Sequence, residues 1–526
     1  MIEKSEAYFL PVAVFLALTL SLLRFSSIPV GTFFDDANYL ILAEGLVTGS
    51  GYRLINFPSM PTEQAFPPGW PLLLAPIVGL APGNLLLPKM LTLLFSLGSI
   101  FLADRLFRDR LEPTERLFFL LLISLNPLFI GAAGTVMSEP AYLFFSLLTL
   151  VLLEHWMGWS MQGGHGQADL GPAHPYGWLI KTGLILFCAF FSMVVRTVGI
   201  TLLLAVIVML IPKQKWRPVL LIGGGIGILG GLAFLLLPQF FEDIFLFSPL
   251  YLGHVQYLLG EFGGYLQFWN HLSTFDWPSI GNVIVPVFDL NLSFVPFWET
   301  IKRVVPLLLL VLVFIGWFLQ WGSFRPTDLY FLFFVGLFYL WTAYINEVQQ
   351  RQLIPMIPLV SFYIVKVAGG RWRMAGFVGN KLYQLGIASC LLILLVHVGR
   401  NVQQWQNPVS ELVVDYEVGG RWLRENTEPQ VVYAVNYPRP SYLYSRRSTE
   451  YLPVDLEGAA FDAYVAQRDI TYILIQPDLA DWHSGELRLH PNISGYLEPY
   501  LLENDKYRSV FVDSDAQVQI FEVVGD

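Results

Sequence analysis

Long apolar runs broken by short polar stretches fill the first 400 positions of this 526-residue chain. A bilayer crossing takes about 17–25 apolar residues, and on that measure the pattern predicts about eleven spans. They fall near 7–25, 85–106, 117–134, 137–155, 178–195, 197–212, 217–237, 303–321, 328–345, 352–368 and 382–398. The pairs at 117–155 and 178–212 read as tight hairpins. After Arg400 the periodicity turns soluble. Residues 412–426 form an amphipathic helical pattern, and 431–435, 470–476, 509–513 and 519–523 alternate as short strands. Helical stretches at 441–445, 459–468 and 493–502 lie between them. The expected architecture is a polytopic α-helical membrane module over 1–399, with long loops at 26–84 and 238–302, followed by a small α/β domain over 400–526.

Composition agrees with that pattern. Hydrophobic residues make up 55% of the chain and charged residues 14%, with mean hydropathy +0.55. Soluble domains carry about a quarter charged residues. The net charge of −10 arises after residue 400, where about 20 acids face about 10 bases. No basic tract marks nucleic acid as a partner. Cys188 and Cys390 both sit in apolar runs, which gives no disulfide framework. The first apolar run has no small-residue cleavage site behind it and reads as a retained anchor.

Loop lysines and arginines collect at 105–116, 213–217, 322–328 and 366–381, so the positive-inside rule places the N-terminus in the cytoplasm, with 156–177 as a further cytoplasmic loop. The 26–84 loop, the aromatic-rich 238–302 loop and the C-terminal domain are then expected outside a plasma (inner) membrane. Aromatics in the 238–302 loop, Trp269 and Trp277 among them, suit either an ordinary interfacial belt or a lipid-guiding surface. His155, His165 and His174 belong to a Gly/Pro-rich stretch whose spacing matches no metal site, and disorder is expected there.

Candidate chemistry begins in the first long loop. Asp35 and Asp36 follow two phenylalanines, a helix-capable segment covers 37–47, and the rigid turn Phe66-Pro67-Pro68-Gly69 closes the stretch. Acids at a bilayer edge are costly to bury and sensitive in pKa, which makes them functional candidates. The plainer alternative is that one of them caps the helix. Glu139 in GTVMSEP, Arg196 in VVRTVG and Arg351 in QRQLIPMIP fall at the same expected face. Each alone could be a snorkelling end charge. Together they suit work on a phosphate-linked lipid, because arginine pairs bidentately with phosphate and a carboxylate takes a proton from an attacking hydroxyl or amine.

The segments FFDDANYLILAEGL, FPPGWPLLLA, MSEP, VVRTVGITLLL and QRQLIPMIPL resemble the GT-C superfamily of integral-membrane glycosyltransferases. Within it, the branch of protein O-mannosyltransferases and lipid A aminoarabinose transferases is the most similar. The likeness covers residues 5–370 and implies a GT-C fold with an extracytoplasmic C-terminal domain. It implies Asp35 as catalytic base, Asp36 as its acidic neighbour and Glu139 as an acid that positions acceptor or base. Arg196 and Arg351 would hold the lipid phosphate. The implied activity is inverting transfer of a sugar from a polyprenyl-phosphate-linked donor to an acceptor lipid, glycan or protein. No cofactor is expected; a divalent metal is possible but not expected. One departure is Phe66, where the aminoarabinose transferases have a lysine. The competing readings are a transporter or flippase of lipid-linked sugars and a non-catalytic membrane scaffold. No internal repeat supports the transporter.

Overall fold

Prolines, glycines and a few polar caps divide the apolar runs into helices. The computed structural model describes residues 6–25, 29–63, 65–157, 177–210, 277–286, 297–320, 325–345, 350–369, 377–406, 416–481, 486–488 and 491–524. The helices of the apolar part are α1 (Phe9–Arg24), α2 (Asp35–Thr48), α3 (Gly69–Leu80), α4 (Leu86–Phe107), α5 (Pro113–Ser124), α6 (Pro127–Ala133) and α7 (Glu139–Trp156). After them come α8 (Gly177–Val195), α9 (Ile200–Leu210), α10 (Trp277–Gly281), α11 (Trp298–Gln320), α12 (Pro326–Ile345), α13 (Ile357–Gly369) and α14 (Phe377–Gln406).

Among the described residues, Leu86–Arg110, Trp298–Gln320, Gln350–Gly369 and Tyr383–Gln406 are long and apolar enough to cross a bilayer. The bent pair α5–α6 makes a fifth when taken as one span. Its 52° bend has a local cause. Pro127 removes a backbone donor, and the Asn126 side chain caps the new start by accepting from Leu128 and Phe129 N–H at 3.0 and 3.2 Å. Every expected span within the described residues falls on a helix; the one at 217–237 lies outside them. Most of the 238–302 loop, with His165 and His174 of the earlier linker, also lies outside them. Two differences stand out. The 69–80 stretch, read as loop, is α3, and α11 begins at Trp298 inside the expected second loop.

At the end of α4 away from the first loop, buried charges lock the bundle. Arg116 grips Asp104 with two bonds of 2.7 and 2.8 Å, Lys366 meets Glu115 at 2.8 Å, and Arg110 stacks on Phe362 while facing Glu154 at 3.5 Å. Each charge there has a partner, as burial demands.

The C-terminal part is a five-stranded sheet with helices on both faces. Its elements are α15 (Tyr416–Asn426), β1 (Val432–Val435), α16 (Pro438–Ser445), β2 (Ser448–Tyr451), α17 (Gly458–Gln467) and β3 (Tyr472–Ile475). The hairpin β4 (Asp478–Asp481) and β5 (Glu486–Arg488), α18 (Glu498–Glu503), β6 (Tyr507–Asp513) and β7 (Val518–Val523) complete it. Strand order is β2-β1-β3-β7-β6, with β2, β1 and β3 parallel and β7 and β6 antiparallel. Alternation along the strands splits two cores. Tyr433, Val435, Leu474 and Ile520 pack with Leu423 of α15, while Ala434, Ile473, Ile475 and Phe521 pack with Phe461 and Val465 of α17. The strand β2 and the hairpin β4–β5 were not legible as strands.

Candidate active site

The first loop enters α2 through a strained turn. Phe34 has φ +56° and ψ −42°, and Asp35 N–H reaches back to the Phe33 carbonyl. This is the rare, strained form of the γ-turn, and a bulky residue held there costs on the order of 1–3 kcal/mol. The turn sends the two acids in different directions. Asp35 Oδ2 lies 2.7 Å from Arg351 Nη1. Asp36 turns inward, 1% exposed, and accepts from Gly31 N–H at 2.8 Å and Ala37 N–H at 3.0 Å. Neither acid is the N-cap residue, which is Phe34 itself.

A second acid–arginine pair stands beside the first. Glu139 opens α7 and is 1% exposed; its Oε1 lies 2.7 Å from Arg196 Nη1. Arg196 also donates to Ser138 Oγ at 3.0 Å, and Ser138 Oγ shares a 3.1 Å hydrogen bond with Tyr39 OH. Glu139 Oε2 is buried and has no hydrogen-bond partner among the described residues. Arg351 Nη1 touches Met137 Sδ at 4.0 Å and feels the Glu139 charge as well as that of Asp35. Two acids and two arginines therefore form one continuous cluster.

Two glycines and a tryptophan make this convergence possible. A Cβ on Gly69, at the end of the Pro-Pro turn, would sit 2.7 Å from the backbone of Val194 and Val195. The close approach seats the end of α8, and Arg196 follows directly. A Cβ on Gly199 would meet Met193 backbone at 2.5–2.6 Å, which keeps the 197–199 turn tight against the same helix end. Trp70 donates to the Val136 carbonyl at 2.9 Å, tying α3 to the MSEP turn. Phe66 packs edge-on against Tyr39 at 5.3 Å, and Tyr52 OH holds the Phe66 carbonyl at 2.8 Å.

Burial pushes the Asp35 carboxyl above the usual aspartate range; Arg351 pulls it back and the Glu139 charge adds to the rise. Burial pushes Asp36 up to about 6, against the two backbone N–H groups that favour its charged form. Asp35 thus has the environment of a base poised above its ordinary strength, beside a fixed cation. Among the described residues, no three His, Cys, Asp or Glu side chains come together as metal ligands.

Four of the five residues singled out from the sequence meet here: Asp35, Glu139, Arg196 and Arg351. Asp36 does not face the arginines and instead ties the loop to the start of α2. Sequence reasoning passed over Tyr39 and Ser138, which orient Arg196. Ser138 sits inside the quoted MSEP turn, and Tyr39 is one helical turn beyond Asp35, a spacing that places both on one face.

This arrangement, an apolar helical bundle whose 26–84 loop bears the acids joined to an α/β domain, is similar in fold to solved GT-C enzymes. No protein-family model and no curated protein matches the sequence. Solved structures do match it in fold. ArnT from Cupriavidus metallidurans bound to undecaprenyl phosphate superposes with TM-score 0.55 at 13% identity, covering 99% of both chains. Its apo form gives 0.53 at 11% identity, over 98% of each. The archaeal oligosaccharyltransferase AglB from Archaeoglobus fulgidus, in complex with an inhibitory peptide and a dolichol-phosphate, gives 0.51 at 12% identity. That match covers 90% of this chain and 69% of AglB.

Proposed function

We propose that this chain is an inverting glycosyltransferase that moves a sugar from a polyprenyl-phosphate-linked donor to an acceptor at the outer face of the membrane. The observation that carries this reading is the meeting of two acid–arginine pairs, Asp35–Arg351 and Glu139–Arg196, at one end of an apolar bundle. The polyprenyl phosphates bound in ArnT and AglB support the donor class. Charges this close to a bilayer serve an amphipathic substrate that presents its polar head there.

The chemistry follows from the residue types. The acceptor hydroxyl or amine attacks the anomeric carbon on the face opposite the phosphate. Its proton passes to the Asp35 carboxylate as the new glycosidic bond forms. The bond from the anomeric carbon to the phosphate oxygen breaks, and the lipid phosphate leaves with the electron pair. Arg196 and Arg351 offset the negative charge that develops on it. Without donor, Arg351 neutralises Asp35; an arriving phosphate competes for that guanidinium and leaves Asp35 the stronger base. In this reading Glu139 Oε2, which has no hydrogen-bond partner among the described residues, accepts a hydrogen bond from the acceptor.

The test is incubation of the purified chain with a panel of radiolabelled polyprenyl-phosphate sugars, followed through release of the lipid phosphate. Acceptor-dependent release with one sugar is the expected result. Donor carried across a vesicle membrane with its sugar–phosphate bond intact contradicts the reading and makes the chain a transporter.

A further inference from the structure

We infer that the C-terminal domain is a working part of this active site, with Tyr437, just before α16, as a positioning residue for Asp35. The inference rests on the glycosyltransferase reading and deepens it. Phe34, whose strained turn aims Asp35 at Arg351, has its ring 4.9 Å from the Tyr437 ring. Tyr416 stands edge-on behind Tyr437 at 6.1 Å, so the contact is backed by α15.

The same stretch of the domain holds the chain just before the turn. Tyr444 OH donates to the Val30 carbonyl at 2.7 Å. Gly31, at φ +106°, lies so close under Pro440 that a Cβ would come within 2.9 Å of it. Gly31 N–H is the group that binds Asp36. The strained turn is therefore fixed from the domain side by Tyr437 and from the loop side through Gly31 and Asp36. Backbone held in a sparsely populated region persists only where its surroundings over-determine it, and here the surroundings are the C-terminal domain.

Attachment of the domain does not depend on Tyr437. Arg446 pairs with Glu44 at 2.7 Å, and Asn56 exchanges bonds with Thr449, its Nδ2 donating to Thr449 Oγ1 at 2.9 Å and its carbonyl accepting from Thr449 N–H at 2.7 Å. Removing the Tyr437 ring thus leaves these docking bonds in place and takes the support from Phe34, which relaxes toward negative φ and swings the first turn of α2. Donor binding, carried by Arg196 and Arg351, changes little; proton transfer to Asp35 suffers.

The test uses the full-length chain in liposomes with its donor and acceptor. Tyr437→Ala is expected to lower kcat about tenfold or more while the KM for donor stays near the wild-type value. Tyr437→Phe, which keeps the ring, is expected to recover most of the activity. Glycine adopts positive φ freely, so in a Phe34→Gly background Tyr437→Ala is expected to cause no further loss. A role in stability alone predicts equal losses in both backgrounds together with a lowered Tm, and that result overturns the inference. So does a Tyr437→Ala protein that turns over like wild type. Asp35→Asn in the same assay separates the two failures. Full activity there removes the base assignment itself, whereas an inactive Asp35→Asn beside an unaffected Tyr437→Ala removes only the inference about the domain.

Discussion

Gly69→Ala adds a single methyl at the point where the Pro-Pro turn meets the end of α8. The new carbon would lie 2.7 Å from the Val194 carbonyl and the Val195 nitrogen. Carbon contacts settle near 3.5 Å, so one backbone has to retreat by roughly 0.8 Å. Neither side can swing away as a side-chain tip would. Alanine is a better helix former than glycine by about 1 kcal/mol in a helix interior, and less at a first turn. Overpacking a tight contact costs about 1–3 kcal/mol, so strain wins and the fold loses about 1–2 kcal/mol. The functional loss is larger, because the α8 end carries Arg196 and its 2.7 Å pair with Glu139. A misplacement of about 1 Å at such a group can cost on the order of 10²-fold in rate. Thermal unfolding and single-turnover lipid-phosphate release on the same preparation measure both effects. Gly336→Ala, whose added carbon meets nothing within 4 Å, is the control. A Gly69→Ala protein with wild-type donor affinity and turnover refutes the link between the Pro-Pro-Gly turn and Arg196.

Other outcomes follow from the same geometry. Arg196→Ala weakens donor binding and turnover at normal expression, and Arg196→Lys recovers only part because lysine lacks the planar fork that pairs bidentately with phosphate; equal donor affinity in all three proteins reduces Arg196 to an end anchor. Asp36→Asn keeps turnover within about tenfold, since only one of two hydrogen bonds is lost, worth about 1 kcal/mol. The Asp36 carboxyl is raised from 3.8 to about 6, so the native state holds its proton more tightly than the unfolded chain and wild-type stability falls as pH rises through that window. The Tm difference between the Asn variant and wild type therefore moves in the variant's favour from pH 4 to 6, and a constant difference contradicts the buried-acid description. Reporter fusions at Asp526 and Gln214 report opposite sides of the membrane; a shared side removes the expected topology.

Periodicity made the apolar helices legible because burial against lipid or protein leaves an unbroken apolar record. Strand β2, which follows α16, left none: its residues Ser448–Tyr451 carry polar side chains, with Thr449 bonded to Asn56 of the first loop and Glu450 paired with Arg468. Helix α3 was hidden by its two prolines, Pro71 and Pro76, and by the turn residues that precede it. At the site, charged residue types at span ends were enough to find Asp35, Glu139, Arg196 and Arg351. Adjacency misled for Asp36, because a γ-turn followed at once by a helix start points neighbouring carboxylates apart. The contacts of Tyr437 and Pro440 with the first loop join positions about 400 residues apart in sequence, and no local pattern announces them.

Asp35→Asn in the lipid-phosphate release assay is the most direct test of the central claim. The substitution keeps the shape beside Arg351 and removes the proton acceptor. Positioned general acid–base groups contribute about 10²–10⁴-fold, so turnover is expected to fall by at least that order while donor binding is retained. Turnover at the wild-type rate in that variant, with the same donor and acceptor, contradicts the account.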